Sequence, residues 1–327
     1  YRFEQVAGPP ALKARGLVAA NDLISDADGK IRRSFIALKD PQTKEDIYSF
    51  GLYLALLYLS QERPALAPEV IDGSQHWQLG KVDVRPFRGN DGGYIHADDR
   101  DTQILLNYRG PRQTFERVSL SQVLAGQLPK DWARDRIILI GNISESSKDL
   151  FVTPYSGGLL DSPEPMPGVE IHANLASQFV AGAIDGRLMI GSWSEPIEIL
   201  WISLWAVVGA ALTWALRSIT SKPLGSLWLI LSFGGAIAIV VGSAYGLLIV
   251  QGLWIPVAPP LLALASAAGG ISIYLARSAS QIRDTFGRYL NAEVVANLLE
   301  NPEGLRMGGE RRRIAILTSD LRGFTAT

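Results

Sequence analysis

Three long apolar runs dominate the second half of the chain. Residues 197–216 carry one charge, Glu198 at the edge, together with Trp201, Trp205 and Trp214, while 224–250 and 255–276 carry none. Runs of roughly 20 apolar residues match the hydrocarbon thickness of a bilayer, so all three are expected to be transmembrane helices. The loop after the first holds Arg217 and Lys222, the loop 251–254 holds no cation, and Arg277, Arg283 and Arg288 follow the third. Lys and Arg concentrate on the cytoplasmic side, which places 217–223 and everything after 277 inside and the domain 1–190 outside. No charge falls in mid-span, and Pro256, Pro259 and Pro260 cluster where the third helix starts and proline is tolerated. Anchor and signal conduit is therefore preferred over transporter.

Upstream the pattern shortens to domain-sized elements. Asp28-Gly29 between two β-patterned stretches predicts a tight turn, and a calcium loop counted from Asp26 fails because Ala37 stands at its closing position. Residues 47–60 predict a domain helix too short to span a membrane, and 90–101 a solvated loop. Residues 103–108 predict a strand, and Ser119 to Gly126 a capped helix with a glycine stop. The unbroken aliphatic run 136–141 predicts a second strand, buried on both faces as in a parallel sheet flanked by helices. The polar loop 142–149 would then lie at a carboxyl strand edge, where α/β sheets commonly bind ligands. A Pro-rich stretch leads to a helix from Gly168, whose buried stripe is Ile171, Leu175 and Phe179. Asp149, Thr153 and His172 are the candidate sensor-pocket residues, with a hydrogen-bonded structural role the competing reading for His172.

Composition narrows the chemistry. The net charge of −1 over 327 residues gives no basis for a nucleic-acid partner, and none is expected. Without a single Cys, disulfides, a thiol nucleophile and Cys-ligated zinc are excluded. The chain opens on Tyr1 with no visible signal peptide, so a preceding segment is expected to be missing.

Beyond the third span, 277–310 predicts cytoplasmic coupling helices, and 311–327 an apolar strand that delivers Asp320 to a Gly-containing loop. Phe286-Gly287-Arg288-Tyr289-Leu290, Gly308-Gly309-Glu310-Arg311-Arg312 and the run from Leu317 to Thr325 resemble the lead-in helix and first catalytic strand of class III adenylate/guanylate cyclases. Asp28-Gly29 with Arg32-Arg33, Val118-Ser119-Leu120, Leu124-Ala125-Gly126, residues 136–141, Asp149 with Thr153-Pro154, Pro167 to Ala173 and the three spans resemble the CHASE2 extracytoplasmic sensor. Together they look like a bacterial receptor cyclase, truncated at both ends.

The resemblance implies that Asp320 and the Leu321 carbonyl hold two divalent ions, Mg2+ or Mn2+, and that amides of Gly323, Phe324 and Thr325 bind the phosphates of ATP or GTP. It also implies a homodimer and a bacterial inner-membrane location. The remaining catalytic groups would lie past Thr327, so the chain as it stands is not expected to catalyse. The expected architecture is an α/β (α+β) sensor at 1–190, three spans at 197–216, 224–250 and 255–276, coupling helices, and the first strand of a ferredoxin-like cyclase domain. The expected function is control of cyclic nucleotide synthesis, cAMP foremost, by an unknown extracytoplasmic ligand. The alternative is a non-catalytic ligand-binding module anchored by the same helices.

Overall fold

The computed structural model describes residues 8–39, 46–62, 69–70, 77–157, 164–218 and 224–286, with Ala315 alone beyond them. The coupling helix expected after residue 290 and the site residues Asp320, Leu321, Gly323, Phe324 and Thr325 lie outside the described residues.

The N-terminal domain mixes helices and short strands. In order these are α1 (Pro10–Lys13), β1 (Arg33–Lys39), β2 (Asp46–Tyr48), α2 (Phe50–Glu62), β3 (Glu69–Val70), β4 (Trp77–Leu79), β5 (Val82–Val84), β6 (Thr102–Leu105), α3 (Leu120–Leu124), β7 (Leu150–Phe151), β8 (Met166–Pro167) and α4 (Gly168–Asp185). The expected turn closes with Gly29 N–H donating to the Asp26 carbonyl at 2.8 Å, and Gly29 takes the positive φ of +78° that the turn demands. Chain reversal there sends β1 into the centre of a sheet ordered β2-β1-β6.

Helices α2 and α4 cross closely over this sheet. Gly51 permits the approach, since a Cβ there would meet the Leu175 side chain at 2.8 Å. Leu52, Ala55 and Leu59 of α2 and the predicted stripe Ile171, Leu175 and Phe179 of α4 are buried together with Ile36, Leu79, Val84 and Ile104. Each such side chain contributes about 1.5–3 kcal/mol by leaving water.

A second face of α4 is buried although it is polar. Glu170, Asn174 and Gln178 recur at four-residue spacing and grip the segment that continues β6. Gln178 accepts from the Asn107 N–H at 2.9 Å and donates to the Leu105 carbonyl at 3.1 Å. Asn174 accepts from the Arg109 N–H, and Glu170 from the Gln113 N–H and the Arg117 guanidinium. Helix side chains thus satisfy backbone that has left the sheet, as buried amides require.

Two expectations are corrected. Every ladder between named strands is antiparallel, and among the described residues parallel pairing occurs only as isolated bridges such as Lys30 to Val152. Residues 136–141 join no ladder, and Ile140 is 94% exposed. The run ends an excursion whose two ends both return to the start of α4, through Arg117 to Glu170 and through Gly141 beside Val169. The β6 edge it would need is taken by the Phe87 N–H bonded to Gln103 and by the Leu105–Ile190 bridge. Inside the excursion α3 forms with the expected Ser119 cap, a full capping box with Gln122, yet none of its residues is buried.

Three helices follow, α5 (Glu195–Leu216), α6 (Gly225–Gln251) and α7 (Ala258–Phe286), each long and apolar enough to cross a membrane. Trp205, Val240 and Leu264 form their shared core. Gly209 lets α5 touch α7, because a Cβ there would lie 2.3 Å from the Leu264 carbonyl oxygen. Small residues at such crossings are the usual means by which membrane helices gain contact.

Candidate functional site

A half-open cavity of about 370 Å3 opens at the start of α4. Pairing of Leu150 with Pro167 and of Phe151 with Met166 brings Asp149 beside the first helical turn, where the Gly168 N–H donates to its carbonyl at 3.1 Å. Gly168 leaves room for the Asp149 carboxylate, since a Cβ there would lie 2.6 Å from it and displace it. That carboxylate sits against the positive end of an 18-residue helix, a placement worth about 0.3–1 kcal/mol. Asn21 and Asp22 enter from the segment before the Gly29 turn, and Phe50 from the first turn of α2.

His172 forms the inner wall. It is 7% exposed, and its ring meets Phe50 edge-on at 5.5 Å. Burial pushes its pKa down, while the Asn21 backbone, Asp149 and Asp22 pull the other way. The imidazole is therefore neutral at neutral pH. Its Nδ1 has no hydrogen-bond partner among the described residues. Among the described residues, no Lys or Arg lines the cavity.

Of the residues singled out from sequence, Asp149 and His172 meet in this cavity. Thr153 does not. It is buried in the following turn, where its N–H donates to Ser156 Oγ at 2.8 Å. Asn21, Asp22 and Phe50 were missed, and only the polar pair Asn21-Asp22 before an apolar Leu23 could have hinted at them.

The domain meets the membrane helices at a second place. Asp26 and Arg33, both side chains 5% exposed, pair at 2.8 Å. Arg33 lies 4.8 Å from the Phe87 ring centre and 5.0 Å from that of Tyr94, and also donates to the Asp98 carbonyl and to Gln103 Oε1. Tyr94 donates to Asp26 at 2.6 Å, and burial together with that bond raises its pKa. Its ring then packs edge-on against Trp254, 5.8 Å away in the loop between α6 and α7, where Gly92 and Gly93 also seat the indole. Gly191 completes the seam by donating to the Gly252 carbonyl at 2.9 Å and accepting from the Trp254 N–H at 2.8 Å.

Among families of known proteins, the CHASE2 domain matches residues 4–211, more than half of the chain. The chain belongs to the CHASE2 family. The matched stretch holds the whole cavity, the Asp26–Arg33–Tyr94 cluster and most of α5. No curated protein and no solved structure matches the chain. Mixed α/β structure joined to three apolar helices makes this a membrane-anchored CHASE2 protein. Among the described residues, no group of three or more His, Asp or Glu is placed to hold a metal ion. The Mg2+ or Mn2+ site implied by Asp320 and Leu321 lies outside them.

Proposed function

We propose that this CHASE2 domain faces the outside of a bacterial inner membrane, binds a small molecule in the Asp22–Asp149–His172 cavity, and regulates a cytoplasmic cyclic-nucleotide-forming domain beginning near residue 311. One observation carries the receptor reading. The domain grips the loop between α6 and α7 through Tyr94, Gly92 and Gly191, so it touches the membrane bundle beyond its own covalent link to α5. The distribution of Lys and Arg supports the orientation. The output rests on the likeness of residues 286–325 to the cyclase lead-in helix and first strand. There Asp320 and the Leu321 carbonyl would hold two Mg2+ or Mn2+ ions, and Gly323, Phe324 and Thr325 the phosphates of ATP or GTP, in a homodimer. Divalent ions in such a site activate an attacking hydroxyl and neutralise the leaving pyrophosphate.

Two measurements test this. The chain has no native Cys, so a single cysteine at the exposed Gln251 and single cysteines in 217–223 can be probed in intact cells with an impermeant thiol reagent. Labelling at 251 alone is expected, and the reverse pattern overturns the orientation. Expression of the full-length gene should raise cellular cyclic nucleotide, and Asp320→Ala should abolish the rise. Unchanged cyclic nucleotide would leave the anchored, non-catalytic binding module as the function.

A further inference from the structure

The geometry points to a ligand class: we infer that the cavity selects a small organic cation, a primary ammonium or guanidinium group on an apolar body. The inference rests on reading the domain as a sensor and extends that reading to the chemistry sensed. The two charged side chains that line the cavity are both acceptors. Asp22 and Asp149 bring two carboxylates, and no described Lys or Arg pairs with either. His172 lines the same cavity, and its buried Nδ1 has no hydrogen-bond partner.

The competing ligand classes fit less well. A helix N-terminus ordinarily attracts anions, but the Asp149 carboxylate already occupies the start of α4, and a second negative group would meet two carboxylates. A hard divalent cation needs six or more oxygen ligands, whereas Leu23, Phe50, Phe151 and Val169 make much of the wall apolar. Those side chains suit a hydrocarbon or aromatic body behind a charged head. The volume lies at the small end of the range for small-molecule sites.

The test is calorimetric titration of the full chain in lipid nanodiscs near pH 7.5, with no output readout. Phenethylamine, isoamylamine and agmatine are compared with the carboxylates 3-phenylpropionate and 4-methylvalerate. At least one amine should bind while both carboxylates fail. Asp149→Asn and Asp22→Asn should each weaken the amine about tenfold or more, and His172→Phe should weaken it severalfold while keeping the packing. Glu116→Gln, at a residue that does not line the cavity, should change nothing. Should Asp149→Asn misfold by circular dichroism, Asp22→Asn and His172→Phe carry the test. Carboxylates binding as well as amines, amine affinity indifferent to the cavity variants, or no amine binding would each overturn the inference. None of those results bears on the thiol-labelling or cyclic-nucleotide measurements, which test the receptor reading separately.

Discussion

Asp26 and Asp28 lie two positions apart and share Arg32, yet their removal should have very different costs. Arg32 donates to Asp26 at 3.0 Å and to Asp28 at 2.6 Å. Asp26 also faces Arg33 where both side chains are 5% exposed, whereas the Asp28 side chain is 49% exposed. Asp26→Asn strips the charge from a buried pair and leaves Arg33 uncompensated, a change that typically costs about 3–5 kcal/mol. Arg33 retains the Asp98 carbonyl, Gln103 Oε1 and two aromatic faces. The lower end, about 3 kcal/mol, is therefore expected. Asp28→Asn breaks a pair that water already screens, and should cost under about 1 kcal/mol. Urea titration of the full chain in detergent, read by pulse proteolysis within the N-terminal domain, measures both. Equal costs for the two variants, or a cost under about 1 kcal/mol for Asp26→Asn, would refute the assignment of Asp26 as the buried counter-ion.

Other perturbations give further expectations. Gly209→Leu should push α7 off α5 and cost about 1–3 kcal/mol by thermal unfolding in micelles, whereas Gly234→Leu, with open space around it, should be near neutral. Gln178→Leu strands the Leu105 carbonyl and the Asn107 N–H, at about 1–3 kcal/mol for each, and the same urea titration reads the loss. For His172, a folded pKa below the ordinary 6.5 means the unfolded chain takes up the proton first. The stability held above pH 6.5 should therefore fall as pH drops from 6.5 toward the lower folded value, and His172→Phe should flatten that slope; an unchanged slope refutes it. Trp254→Ala removes the indole seated on Gly92 and Gly93, so hydrogen exchange should rise across residues 88–97, while Trp228→Ala, on the exposed face of α6, should leave it unaltered.

Features carried by local chemistry were legible in the sequence. The apolar runs became α5 to α7, the first two with ends shifted by at most two residues and the third continuing as helix to Phe286, and the Gly29 turn, the Ser119 cap and the Ile171–Leu175–Phe179 stripe follow from neighbours in the chain. What depended on distant partners was not. The aliphatic run 136–141 reads as a buried strand, but pairing requires a free edge, and the β6 edge is taken by Phe87 and Ile190. Nothing local to Glu170, Asn174 and Gln178 announces that the segment after β6 is laid across them. The cavity was half legible: Asp149 and His172 stand near a bend and a helix start, while Asp22 and Phe50 reach it only through the fold.

The seam at Trp254 has a mechanical consequence. A domain held by one covalent link, residues 190–194, could swivel freely about it. Held also at Tyr94 and Gly92 by the neighbouring loop between α6 and α7, it has two pivots, and a rigid motion that preserves both is a rocking about the line between them. Rocking about that hinge line lifts one edge of the domain and lowers the other. Any force passed on through the two pivots then reaches α5 and the α6–α7 hairpin unequally, as a lever acts on its two arms.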